Sequence, residues 1–438
     1  MPKIAMIGAG SVVFTKNLLG DILSFPALAE STIALHDIDP ERLDAGYRMA
    51  QWTANALAAH PNLEAHADRR AALDGADYVI NMVQVGGHAA TLLDFDIPRQ
   101  YGLRQTIGDT MGIGGIFRAL RTIPVILEIC RDMQAVCPDA WLLNYTNPMA
   151  MLMWAINAAT PIKSVGLCHS VQGTSHQLAG YLDIPYKELV YDTAGINHMA
   201  WFMKLEWEGQ DLYPMLREAM QHRFIFAHDK VRFEIFKHFG YFVTESSEHM
   251  SEYVPYFLKS PTEIDRLDIP LDEYVRRSAN NLREFQHTYK RLHNGASFTV
   301  KRSEEYGAFI IHAMETGVPS TFYGNVANHG LIDNLAQDAC VEVRCTVDKD
   351  GIHPLPFGAL PPQLAALNRS NIDVQRLAVK AALEGNRDDV YYAAYLDPAA
   401  SSALTLGQIQ AMVTDLIAAH GDALPEGIRL SRRMSVPV

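Results

Sequence analysis

Lys3-Ile4-Ala5-Met6-Ile7-Gly8-Ala9-Gly10-Ser11-Val12-Val13 begins as a short apolar run and ends in two spaced glycines. Lys3–Ile7 predicts a buried strand, and Gly8 permits a tight turn into a helix. Gly10 would let the backbone approach a pyrophosphate at the helix N-terminus, where Ser11 stands. The third position of this dinucleotide fingerprint is Val13 rather than Gly or Ala, so the motif is imperfect, and a plain strand–turn–helix is the alternative. A second β-rich run, Ile33–His36, is followed by Asp37, twenty-seven residues beyond Gly10, at the strand end where a carboxylate can hydrogen-bond an adenosine ribose. Asp37 would repel a 2′-phosphate, which favours NAD over NADP. The competing role for Asp37 is a cap on the helix starting near Pro40, for which Asp39 is better placed.

Further strands are expected at Tyr78–Val83, Trp141–Tyr145 and Ser164–Cys168, with helices between them at Asp39–Ala58 and Phe117–Val136. Strands alternating with longer amphipathic segments predict an α/β chain with a Rossmann-type doubly wound parallel sheet. After about Gly195 the pattern shifts to longer helices, 272–293 and 361–383, with strands at 321–324 and 339–347. Two domains follow: 1–195 for the nucleotide, and 196–438, mixed α/β, for substrate and oligomerisation.

The chain has 438 residues, 48% of them apolar, and a formal charge of −13. That charge argues against nucleic acid, because phosphate binding needs concentrated Lys and Arg. No apolar run approaches a membrane span, and no signal core is evident at the N-terminus. Five cysteines are an odd set in a large chain, unlike a disulfide framework, so a reducing cytoplasm is expected.

Cys168-His169 ends a predicted strand, and His198 follows the β-rich run Leu189–Ala194. In an open α/β sheet the carboxyl edge faces the ligand crevice. Cys168 and His198 could there hold a divalent ion whose remaining positions go to water or substrate hydroxyls. The plain alternative is a buried thiol packed as a small hydrophobe. Asn147, just after another strand, could bind sugar hydroxyls or simply form an Asx turn before Pro148. Asp109 lies in a glycine-rich loop, Asp109–Gly115, leading to the helix that carries Arg118 and Arg121. Such a loop could bring Asp109 to the crevice or cap the helix.

Taken together, Ile7–Ser11, Gly112–Gly115 with Arg118–Pro124, Asn144–Met149, Gly166–Thr174, Gly195–Ala200, Gly240–His249, Tyr323–Val326 and Leu331–Leu335 resemble glycoside hydrolase family 4. The Cys-His-Ser-Val form at Cys168–Val171 is most similar to its melibiase-type α-galactosidases. The resemblance implies NAD and usually manganese (Mn2+), the ion held by Cys168 and His198, with Asn147 binding substrate. It also implies a homodimer or homotetramer acting on small galactosides. The family is an exception to two-carboxylate glycoside hydrolysis. Its chemistry oxidises sugar C3, removes the C2 proton, eliminates the leaving group, adds water and reverses the first steps. Relatives use a tyrosine as base, matched here by Tyr253 with Tyr241 behind it. Phospho-sugar members place an acidic Asp directly after the metal cysteine. This chain has His169 there, and Asp109 is the other candidate acid. Another α-linked sugar, a glucoside or galacturonide, is the nearest alternative; a uronic acid would need a cationic clamp, for which Arg276 and Arg277 are candidates. A hydroxy-acid dehydrogenase is the more distant one.

Overall fold

The computed structural model describes residues 1–296, 298–303 and 305–430. Six parallel strands form the first half of the sheet: β1 (Lys3–Ile7), β2 (Thr32–His36), β3 (Asn62–His66), β4 (Tyr78–Asn81), β5 (Trp141–Asn144) and β6 (Ser164–Gly166). They lie in the order β3-β2-β1-β4-β5-β6, the doubly wound order whose switch point falls between β1 and β4. Residues Ile4–Ile7, Ile33–His36 and Tyr78–Asn81 are all buried, as strands covered by helices on both faces must be.

The second half adds to the same sheet rather than building a separate one. β7 (Val190–Ile196), β8 (Met199–Trp207), β9 (Gln210–Asp211), β10 (Ser320–Ala327), β11 (Cys340–Asp348) and β12 (Gly351–Pro354) join with antiparallel pairings. Asn325 on β10 pairs with Gly166 on β6, and Glu342 on β11 with Gly195 on β7. This row carries the sheet from the segment before Cys168 to the segment before His198.

The first turn has the expected form for a partly different reason. Gly8 holds φ +88°, and a Cβ there would meet the Met82 backbone at 3.0 Å. A Cβ on Gly10 would strike Arg42 at 2.4 Å and the Asp37 carboxylate at 2.6 Å, so internal packing already demands glycine there. Val13 is 53% exposed, and a side chain at this third fingerprint position therefore costs no packing. Asp39 caps the helix Pro40–Ala56 by accepting from the Glu41 and Arg42 N–H groups.

Residues 109–115 differ from the expected loop. The helix begins at Gly112 and runs to Val136, so Gly112, Gly114 and Gly115 are helical. The loop before it folds back on the first turn. A Cβ on Gly114 would lie 2.4 Å from the Gly108 carbonyl oxygen, and one on Gly115 would lie 2.6 Å from the Thr110 carbonyl carbon. Gly114 and Gly115 serve close backbone packing, and Gly112, at the helix start, holds φ +75°.

Candidate active site

A crevice of 680 Å³ opens at the switch point, lined by Gly8, Gly10, Ser11, Asp37, Val83 and Val85 among others. The helix Val12–Leu23 points its N-terminus into it, and Ser11 makes no side-chain cap bond. First-turn N–H groups thus remain open to an anion. Asp37 lines the crevice, but its oxygens already accept from Gly10 N at 2.9 Å and Asp39 N at 3.0 Å. A carboxylate has lone pairs left for ribose hydroxyls after two such bonds. The helix Glu273–His293 roofs the crevice through Ser278, Leu282 and Phe285, and Arg42 lies over the Phe285 ring at 4.4 Å. These donors, the acid and the volume of the crevice fit a dinucleotide.

Cys168 and His198 meet: Sγ lies 3.2 Å from Nε2. Cys168 follows β6, and His198 holds φ +63° in the turn between β7 and β8. The Glu245 carboxylate approaches the same nitrogen at 3.7 Å, and ligand atoms of the three residues lie within 4.8 Å of one another. On its other side, His198 Nδ1 lies 3.4 Å from Thr110 Oγ1. That hydroxyl gives its proton to Asp109 Oδ1 at 2.6 Å, so it accepts from Nδ1–H. This tautomer turns the Nε2 lone pair toward Cys168 and Glu245, as a metal-ligating histidine requires. Burial would lower the His198 pKa, yet Cys168 and Glu245 push it up to about 10. Negative groups that attract a proton so strongly also suit a cation, and the donor set fits a divalent ion.

Asp109 reaches the site as one of the two expected options. It is buried beside Asn147 Nδ2, which donates to Oδ2 at 3.2 Å, with His249 at 3.6 Å and Arg118 at 4.0 Å. Burial would raise its pKa, but His249 and the Arg118 guanidinium hold it well below the usual carboxylate range. As an ionised acceptor it is poorly suited to donate a proton. The Asn147 backbone carbonyl also accepts from Arg118 Nε at 3.2 Å. The neighbouring Thr146 hydroxyl donates to the Val83 carbonyl in the crevice wall at 3.1 Å. The Asn147 loop is therefore stitched to the nucleotide crevice.

His169 follows Cys168, and its ring side chain is half exposed. Nε2 pairs with the buried Glu305 carboxylate at 2.7 Å, and the Phe14 ring of the crevice lies 6.1 Å away. Burial opposes protonation, but Glu305 prevails and pushes its pKa up to about 9. Tyr253, at the end of the helix Ser247–Tyr253, is 1% exposed, and its ring lies 6.4 Å from His198. Its hydroxyl has no hydrogen-bond partner. Burial, with Asp109 nearby, raises its pKa well above the usual value. Tyr241 instead packs edge-on against Tyr213 at 5.6 Å, away from this role. Arg276 and Arg277 pair with Glu273 on the exposed helix face and form no clamp at the site.

Sequence reasoning missed Glu245, His249, Glu252 and Glu305. Glu252 is buried and accepts from Thr106 N at 2.6 Å, Ile107 N at 3.1 Å and Gly108 N at 2.9 Å. It ties the helix bearing Tyr253 to the loop bearing Asp109. The spacing of Glu245, His249, Glu252 and Tyr253 puts four functional groups on and before one short helix, and that was the available signal.

Residues 3–184 match the model for the family 4 glycosyl hydrolases, and residues 193–400 match that family's C-terminal domain. The chain is 50% identical to an alpha-galactosidase of Bacillus subtilis over 97% of its own length and 100% of the relative's. It is 38% identical to an alpha-galactosidase of Rhizobium meliloti, covering 97% of this chain and 89% of that one. Among solved structures, the 6-phospho-beta glucosidase of Thermotoga maritima with manganese, NAD+ and glucose-6-phosphate shares the fold. Its TM-score is 0.79 at 19% identity, over 96% of this chain and 99% of that one. The chain belongs to the family 4 glycosyl hydrolases.

Proposed function

We propose that the chain cleaves terminal α-galactosides with NAD and a divalent ion, manganese foremost, as its cofactors. The observation that carries this reading is the meeting of Cys168 and His198 at 3.2 Å beside the crevice lined by Gly8, Gly10, Ser11 and Asp37. The two relatives named alpha-galactosidase support the sugar. A neutral sugar is further supported by Arg118, whose guanidinium is committed to the Tyr274 hydroxyl at 2.8 Å, the Asn147 carbonyl and Asp109. Its charge is balanced by Asp109 rather than left unpaired for the carboxylate of a galacturonide.

When bound, the nicotinamide would supply a reversible hydride acceptor for sugar C3, and the ion would supply a Lewis acid. The chain's own residues do the rest. Cys168 and His198 hold the ion. Asn147 and the ionised Asp109 bind and orient sugar hydroxyls. Tyr253 takes the C2 proton once its own phenol proton is lost, a loss that a cation held by Cys168 and His198 would favour. His169, protonated through Glu305, gives a proton to the departing glycosidic oxygen. It later takes one from the water that adds at C1. The cytoplasm and a homodimer or homotetramer fit the cysteine usage and the family.

The test uses protein stripped of metal and nucleotide, given a nitrophenyl α-galactoside with Mn2+, NAD+ and a thiol reductant restored in turn. Activity is expected only with ion and nucleotide together, and Cys168→Ser should lose the response to the ion. Full activity with neither would overturn the proposal, and net NADH accumulation would favour a dehydrogenase.

A further inference from the structure

We propose that Glu245 is a third protein ligand of the divalent ion, joining Cys168 and His198. The inference rests on the reading that those two residues hold an ion, and adds a ligand to it.

Three observations carry it. First, Glu245 Oε2 lies 3.7 Å from His198 Nε2, the nitrogen that also faces Cys168 Sγ at 3.2 Å. A cysteine sulfur, an imidazole nitrogen and a carboxylate oxygen converge on one small volume. Second, the carboxylate is aimed. Its other oxygen lies 3.3 Å from His249 Nδ1, and His249 Nε2 lies 3.6 Å from Asp109. An outer partner of this kind orients a ligating carboxylate. Third, the backbone is built to present it. Glu245 holds φ +71°, a conformation unfavourable for a side chain with a Cβ and kept only where surroundings enforce it. Its carbonyl accepts from Thr174 Oγ1 at 3.2 Å, and that hydroxyl accepts from buried Arg232 at 2.9 Å. The preceding residue, Thr244, is bonded in both directions to Ala200, just after His198. His198 and Glu245 are thus fixed to one another through the start of β8.

Charge favours the same assignment. With neutral His198, one thiolate leaves a buried dication half compensated, whereas thiolate and carboxylate together neutralise it. Three protein ligands also match catalytic sites that hold their ion before substrate arrives and leave positions for substrate oxygens.

The experiment measures Mn2+ and Co2+ binding to metal-stripped, reduced full-length protein without NAD or sugar. Electron paramagnetic resonance counts free Mn2+, and absorption reads the Co2+ d–d and thiolate charge-transfer bands. Wild type should bind one ion. Glu245→Gln and Glu245→Asp, each checked for an unchanged melting profile, should bind more weakly, the glutamine variant by about 100-fold. Both should show altered d–d bands with the thiolate band retained. Wild-type affinity and an unchanged d–d spectrum in both variants would overturn the third ligand while leaving Cys168 and His198 in place. Failure of wild type to bind any ion would overturn the metal reading itself.

Discussion

Tyr253 combines a buried phenol, an unpartnered hydroxyl and an anionic neighbour in Asp109. Left alone, these keep the proton on oxygen, so the residue can act as a base only when a cation stands nearby. Tyr253→Phe should therefore lower turnover at least about 100-fold and abolish exchange of the sugar C2 hydrogen with solvent deuterium, while NAD binding, followed by calorimetry, stays unchanged. Normal exchange in the variant would remove Tyr253 from the chemistry. At this scale the sequence was legible where a residue follows a strand, as Cys168, His198 and Asn147 do, because the sheet edge dictates their destination. It did not place Glu245, His249 or Glu305. The spacing of Glu245 and His249, before and on one short helix, groups them with Tyr253. Their partners Cys168, His198 and Asp109, like the His169 partner of Glu305, lie in distant segments that spacing does not reveal.

The loop 105–110 and the helix Gly112–Val136 act as one element. Gln105 accepts from Gly114 N at 3.0 Å, Glu252 gathers three loop N–H groups, and Gly115 packs on the Thr110 backbone. Gly115→Ala would place a methyl 2.6 Å from backbone that cannot move aside without shifting Asp109 and Thr110. Such overpacking costs about 1–3 kcal/mol. The expected outcome is a lower melting temperature with a fall in kcat larger than any change in NAD affinity, since the crevice glycines are untouched. Equal losses in both would place the loop outside the sugar site. The glycines were read from sequence as part of a loop leading into the helix because spacing does not reveal which backbone packs against them. Strand positions were read more accurately, since β1, β2, β4 and β5 are short apolar runs buried on both faces.

Across the whole molecule, the C-terminal helices support the site from behind. Asp397 is fully buried and caps the helix Pro398–Ala403 through Ala400 N at 2.8 Å. Its other oxygen has no partner. Burial, opposed by its backbone hydrogen bonds and aided by Glu252, pushes its pKa up to about 7 from 3.8. The folded state thus prefers the neutral acid. Its contribution to stability is complete below pH 3.8 and is lost as pH rises through about 7. Melting temperature should therefore fall between pH 5 and 8 in wild type and fall less in Asp397→Asn, which keeps a capping oxygen. Parallel curves for the two proteins would refute the assignment. The parallel half of the sheet was legible from alternating strands and helices. The antiparallel extension was not, because β10 and β7 join it through pairings between segments more than a hundred residues apart in the chain, Asn325 with Gly166 and Glu342 with Gly195.

Hydrolysis of an α-galactoside in D2O, followed by nuclear magnetic resonance of the released galactose, tests the central claim most directly. One deuterium at C2 is expected, because the C2 proton must leave and be replaced during each turnover. Galactose released with its original hydrogen at C2 would contradict redox-assisted elimination at the Cys168–His198 site.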